Sequence, residues 1–129
     1  MSFFRGKPKY NSTRISHAGY SFASKLEAAV FDILKILEIA GKIQNISTQK
    51  RVYLLRNPDI YYIPDFYFEE NGESVHAEAK GIETPEFIIK KKLWHHFGPT
   101  RLDIYKGNYT NPKLIETIIP KTKGENHGD

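Results

Sequence analysis

A chain of 129 residues, 40% of them hydrophobic, can close one core, and a single domain is expected. No run approaches the ~20 apolar residues that cross a bilayer, and Met1-Ser2-Phe3-Phe4-Arg5 lacks the apolar stretch of a signal peptide, so a cytoplasmic protein without membrane contact is expected. The absence of cysteine excludes disulfides and thiolate metal sites, which leaves oxygen or imidazole ligands and points to hard cations such as Mg2+ or Mn2+. The formal charge of +4 is uneven: the first 14 residues carry Arg5, Lys7, Lys9 and Arg14 and no acid, a pattern that fits a polyanionic partner or a solvated basic surface.

In chain order, Gly6, Pro8, Asn11 and Gly19 punctuate an arm and a short hairpin around His17-Ala18-Gly19. From Ser24 the pattern is helical, with Leu26, Val30, Ile33, Leu34, Leu37 and Ala40 at three- and four-residue steps and a stop at Gly41. Lys50 to Leu55 and Tyr61 to Glu69 read as strands separated by Arg56-Asn57-Pro58-Asp59, and a further strand runs from Ser74 to Lys80. Thr84-Pro85-Glu86 starts a helix that ends at Gly98-Pro99. Arg101 to Lys106 is a strand, Asn111-Pro112 is expected to cap a short helix reaching Ile119, and the residues after Pro120 read as a flexible tail. Helix, strands, helix, strand and helix in that order predict an α/β or α+β fold with a mixed central sheet.

Asn71-Gly72 between two strand-like runs is a strong hairpin signal, because a type I′ turn needs positive φ at both central residues. If these two residues form the loop, paired positions sum to 143. Phe68 then faces Val75, Phe66 faces Ala77 and Pro64 faces Ala79, an apolar set. The other face pairs Tyr67 with His76, Asp65 with Glu78 and Ile63 with Lys80. Opposed side chains have Cβ atoms about 5 Å apart, and two carboxylates there repel by roughly 3 kcal/mol at an effective dielectric of about 20. A divalent cation between them, with the Lys80 ammonium beside it, would compensate. The plainer alternative is two exposed acids on the polar face of a half-buried sheet.

Pro64-Asp65, followed thirteen residues on by Glu78-Ala79-Lys80 and preceded by a helix acid, resembles the PD-(D/E)XK nuclease superfamily. Within it, Ser24-Lys25-Leu26-Glu27, Ile63-Pro64-Asp65-Phe66 and Glu78-Ala79-Lys80-Gly81 are similar to the phage endonuclease-I-type Holliday junction resolvases, over roughly Ser24 to Gly107. The resemblance implies a restriction-endonuclease-like mixed sheet flanked by helices, with residues 1–23 as a basic arm and hairpin, 24–119 as the nuclease core and 120–129 as the tail. It implies that Asp65 and Glu78 hold the metal, with the Ala79 carbonyl as a further ligand and Glu27 helping to bind a second ion. Lys80 would orient or activate the attacking water and stabilise charge on the phosphate. It further implies a homodimer acting on branched DNA. Glu27 lies about 85° from the centre of its helix's apolar stripe, and S-x-x-E spacing also lets it complete a capping box with Ser24.

Arg5, Lys7 and Lys9 are the best phosphate grip in the sequence, with Arg14 beside them. Lys90, Lys91 and Lys92 fall on three sides of a helix, so one or two, here Lys91 and Lys92, are candidates for DNA contact. His76 shares the carboxylate face, either as a ligand or as an ordinary polar-face residue. His95 and His96 are expected to serve the helix dipole. Tyr61, Tyr62, Phe66 and Phe68 read as core and sheet-face residues. The competing functions are a general nicking, restriction-like or transposon-end endonuclease, and a non-catalytic DNA-binding module.

Overall fold

The computed structural model describes residues 14–121. The hairpin expected around Ala18-Gly19 forms from β1 (Ile15–His17) and β2 (Tyr20–Phe22). Ser24 caps α1 (Lys25–Ile39), and β3 (Gln44–Thr48) follows. β4 (Val52–Leu55) and β5 (Ile60–Tyr62) pair with each other, and β6 (Phe66–Glu70) pairs with β7 (Glu73–Ala79). Thr84 caps α2 (Pro85–Phe97), and β8 (Arg101–Lys106) and β9 (Lys113–Ile118) complete an α+β fold. Among the described residues no helix is long and apolar enough to cross a membrane.

The central sheet has the order β3-β6-β7-β8-β9. Only β7 and β8 are parallel within it, because α2 carries the chain back between them. One face packs Val30, Phe31 and Leu34 of α1 on Phe66, Phe68, Val75 and Ala77. The other is covered by α2 and the β4–β5 hairpin, which bring Phe87, Trp94, Val52 and Leu54 onto Leu102, Ile104 and Ile118.

Three expectations need correction. The strand drawn from Tyr61 to Glu69 is two strands in different sheets, broken over 63–65. Pro64 has no N–H to give a ladder, and the chain crosses there from the small sheet to the large one. The helix expected after Pro112 is strand β9: Ile115, Thr117 and Ile118 are β-branched, and the free edge of β8 supplies backbone partners that outweigh a weak cap signal. The β1–β2 hairpin, expected ahead of a core that starts at residue 24, packs into that core, since Phe22 is buried with its ring 5.3 Å from that of Phe31. Arg5, Lys7 and Lys9 of the arm, and residues 122–129 of the expected tail, lie outside the described residues.

Trp94 anchors the α2 side. It is fully buried, its indole Nε1 donates to the Thr100 carbonyl at 2.7 Å, and its ring meets His76 and Tyr62 edge-on. Gly98 makes room for it: a Cβ there would fall 2.6 Å from two indole ring atoms. Gly98→Ala should therefore destabilise the protein by about 1–3 kcal/mol. Gly81→Ala, where a Cβ meets nothing within 4 Å, should stay within about 0.5 kcal/mol of wild type in the same denaturant-unfolding measurement.

Candidate active site

The β6–β7 turn carries positive φ at Asn71 (52°) and Gly72 (81°), a conformation Gly adopts without strain. The resulting register runs from Glu70↔Glu73 to Phe66↔Ala77, as the sum of 143 requires. Asp65 and Glu78 stand one position beyond the last of these pairs. They are not the exposed acids of the plainer alternative: only 7% of Asp65 and 6% of Glu78 is exposed.

Each carboxylate fastens the opposite strand. The Asp65 N–H donates to Glu78 Oε1 at 3.1 Å, and the Ala79 N–H donates to Asp65 Oδ2 at 2.8 Å. The carbonyl of Asp65 accepts from the Gln49 N–H at 3.2 Å, one position beyond the Thr48↔Phe66 pair of β3 and β6. Burial raises the pKa of Asp65 well above the usual carboxylate range; the charges of Glu78 and Glu27 add to this and the Ala79 N–H opposes it. Burial also pushes Glu78 up to about 7, against the pull of Lys80 and of hydrogen bonding to its charged form.

Lys80 Nζ lies 3.5 Å from Glu78 Oε2 and 4.6 Å from the centre of the Phe87 ring, so the expected shared face of Glu78 and Lys80 is realised. Glu27 is half-buried at the start of α1. Its N–H donates to Ser24 Oγ at 3.1 Å while its Oε1 accepts from the Ala23 N–H at 2.7 Å. Its charge is near enough to Asp65 to help raise that group's pKa. The capping box that the S-x-x-E spacing allows is therefore formed, on a side chain near Asp65.

Two groups at the site are not foreseen from the sequence. Lys90 is buried, donates from Nζ to the Tyr61 carbonyl, and has its pKa lowered to about 8 by burial against the attraction of Glu78. Spacing is the signal that could have found it: Phe87, Lys90 and Trp94 form the buried stripe of α2. The Tyr62 hydroxyl is buried without a hydrogen bond of good geometry, and burial and the nearby Glu78 charge raise its pKa. Strand alternation alone cannot reveal this. His76 does not reach the carboxylates as a ligand; it is packed edge-on against Tyr67 and Trp94 with Nδ1 2.7 Å from Thr100 Oγ1, and burial lowers its pKa to about 4.

The residues expected to contact DNA are dispersed. Arg14 bonds to the Ser21 hydroxyl and carbonyl on the β1–β2 hairpin. Lys91 is held between Glu83 (3.0 Å) and Glu116 (2.9 Å), which takes its charge away from an outside phosphate, while Lys92 is exposed.

Oxygen donors, burial and mutual repulsion make Asp65 and Glu78 a fitting pair for a hard divalent cation, with Glu27 alongside. Among the described residues no three His, Asp or Glu side chains form a complete ligand set as they stand. One oxygen each of Glu27, Asp65 and Glu78 is engaged by a backbone N–H.

No curated protein matches this sequence. A family model does match residues 7–111, a span that includes Glu27, Asp65, Glu78 and Lys80, and the chain belongs to that family, described as "Protein of unknown function (DUF1064)".

Proposed function

We propose that this chain is a divalent-metal-dependent DNA endonuclease of the PD-(D/E)XK type, acting on branched DNA as a homodimer in the cytoplasm. The observation that carries the reading is the pair of buried carboxylates, Asp65 and Glu78, at the facing ends of β6 and β7, with Lys80 3.5 Å from Glu78 and the Glu27 charge acting on Asp65. An apolar pair would fill that place at lower electrostatic cost, so the carboxylates call for a function.

Asp65 and Glu78, with the Ala79 carbonyl, would hold Mg2+, or Mn2+ in its place, and Glu27 would serve a second ion. Such a cation supplies Lewis acidity at the scissile phosphate and lowers the pKa of the attacking water. Lys80, anchored by Glu78 and the Phe87 ring and still 27% exposed, directs its ammonium to the mouth of the site, where it stabilises the charge that builds on the phosphate. The homodimer follows from the need to cut two strands of a junction. A general nicking, restriction-like or transposon-end endonuclease would use the same residues and differ only in substrate.

A second reading has its own support. The carboxylate-to-backbone bonds across the strand ends would also suit a purely structural clamp in a DNA-binding module. Labelled four-way junctions and matched linear duplexes, incubated with Mg2+, Mn2+ or chelator, separate these readings. Paired, metal-dependent cuts in the junction are expected, reduced to background by Glu78→Ala and about a hundredfold to a thousandfold by Lys80→Ala. Equal cutting of linear duplex would remove junction preference alone. Absence of metal-dependent cutting on any DNA would leave the clamp.

The pH dependence of stability has a definite sign. Glu78 has a higher pKa folded than unfolded, so it contributes stability that is complete below about 4.5 and is lost as pH rises through about 7. Metal-free protein should lose about 3 kcal/mol of stability from this group between those limits, with Asp65 adding in the same direction. Added Mn2+, which needs the ionised carboxylates, should raise Tm more at about pH 8 than at about pH 5. Thermal unfolding across pH, with Glu78→Gln as the comparison that flattens the slope, checks this.

A further inference from the structure

In β4 and β5, Val52 pairs with Tyr62 and Tyr53 with Tyr61. Val52 turns inward to the cluster on α2, so Tyr53 and Tyr61 share the outer face, with ring centroids 5.5 Å apart. Two guanidinium groups lie on these rings: Arg51 Cζ is 4.1 Å from the centre of Tyr61, and Arg56 Cζ is 3.6 Å from the centre of Tyr53. Arg51 Nη1 also donates to the Tyr53 hydroxyl at 3.4 Å. Next to them, Lys50 Nζ sits 4.1 Å from the centre of the Tyr67 ring of β6. Lys50, Arg51 and Arg56 are all exposed, and the sequence from Lys50 to Asn57 contains no acid. Arg56 meets Asp59 at 3.7 Å, an exposed pair of little strength.

The stripe adjoins the candidate site through the backbone. Gln49, the residue before Lys50, donates its N–H to the Asp65 carbonyl, and Tyr62 lies three residues before Asp65. A guanidinium held over an aromatic ring is fixed by that contact and keeps N–H donors free for a phosphate, which its planar fork can take in bidentate fashion. Stacking before binding also lowers the entropy lost when the side chain is immobilised.

We infer that Lys50, Arg51 and Arg56 form the surface that grips the phosphodiester backbone of the DNA strand entering the Asp65–Glu78 site. The inference rests on the nuclease reading for the identity of the polyanion and adds to it the place where the strand is held. It adds the β4–β5 hairpin and the two residues leading into it to the expected phosphate contacts, and favours them over Lys91 of α2, which Glu83 and Glu116 already hold.

The test is fluorescence anisotropy of a labelled four-way junction with full-length protein in chelator, over a salt series. The triple variant Lys50→Ala/Arg51→Ala/Arg56→Ala should bind about tenfold or more weakly near 0.1 M salt, with the slope of log K against log salt reduced by about 2 to 3. Lys42→Ala/Lys113→Ala, at exposed lysines elsewhere, should stay within about twofold of wild type. Arg51→Lys should weaken binding severalfold while leaving the slope nearly intact, because charge remains and the planar fork is lost. Unchanged affinity and slope in the triple variant would overturn the inference, and the nuclease reading would stand if wild type still cuts DNA. Loss of binding in the triple variant of a protein that never cuts would uphold the stripe and sink the nuclease. Should the triple variant fold poorly, the single charge reversal Arg51→Glu takes its place: severalfold weaker binding would support the stripe, and unchanged binding would overturn it.

Discussion

Two carboxylates facing each other in a nearly dry place set the terms for the surrounding structure. Once the Asn71-Gly72 turn fixes the hairpin register, Asp65 and Glu78 must meet, because a slip of one residue would send either Phe66 and Phe68 or Val75 and Ala77 out of the core. Their repulsion is then managed locally. Each accepts a backbone N–H from the opposite strand, Lys80 stands 3.5 Å from Glu78 with its side chain partly exposed, and burial raises both pKa values, which favours protonation of the metal-free pair. The break at Pro64 lets the chain leave the small sheet and present the Asp65 N–H to Glu78. α2 sets Phe87 under the Lys80 ammonium and places Lys90 against the Tyr61 carbonyl.

The surrounding elements are tied to one another by ion pairs. Glu83, just ahead of α2, receives Lys91 from the helix and Lys106 from the end of β8, and Lys91 reaches on to Glu116 of β9. This network ties α2 to the far edge of the sheet. On the opposite face, Arg101 is bidentate to buried Asp103 and also meets Glu70 at the tip of the β6–β7 hairpin. Ion pairs thus tie together the elements around the carboxylates, while ionisation of the buried carboxylates works against stability, a division that fits the proposed site.

The site is legible in the sequence largely because its signal is local. Hairpin register follows from two turn residues, and the side chains of Asp65, Glu78 and Lys80 follow from strand alternation, so the sequence suffices to bring them together. Glu27 needs the helix boundary, which Ser24 announces by its capping chemistry. The fold class, α1, α2 and β8 are readable from periodicity and caps for the same reason. Failures come where a distant partner decides. β9 carries a helix-start signal but is claimed by the open edge of β8, and the segment before Pro64 joins a small sheet whose existence depends on α2 beneath it. Lys90 and the Arg51–Tyr61 and Arg56–Tyr53 stacks are tertiary facts, since the sequence shows cations and aromatics but not which ring lies under which charge.

The central claim, that Asp65 and Glu78 are a divalent-cation site, is tested most directly by calorimetric titration of metal-free protein with Mn2+ in two buffers of different ionisation enthalpy near pH 7. Wild type is predicted to bind Mn2+ with net proton release, because the carboxylates carry a proton before the ion arrives, and Asp65→Asn/Glu78→Gln is predicted to bind none. Failure of wild type to bind Mn2+, or binding that survives unchanged in the double variant, would contradict the assignment.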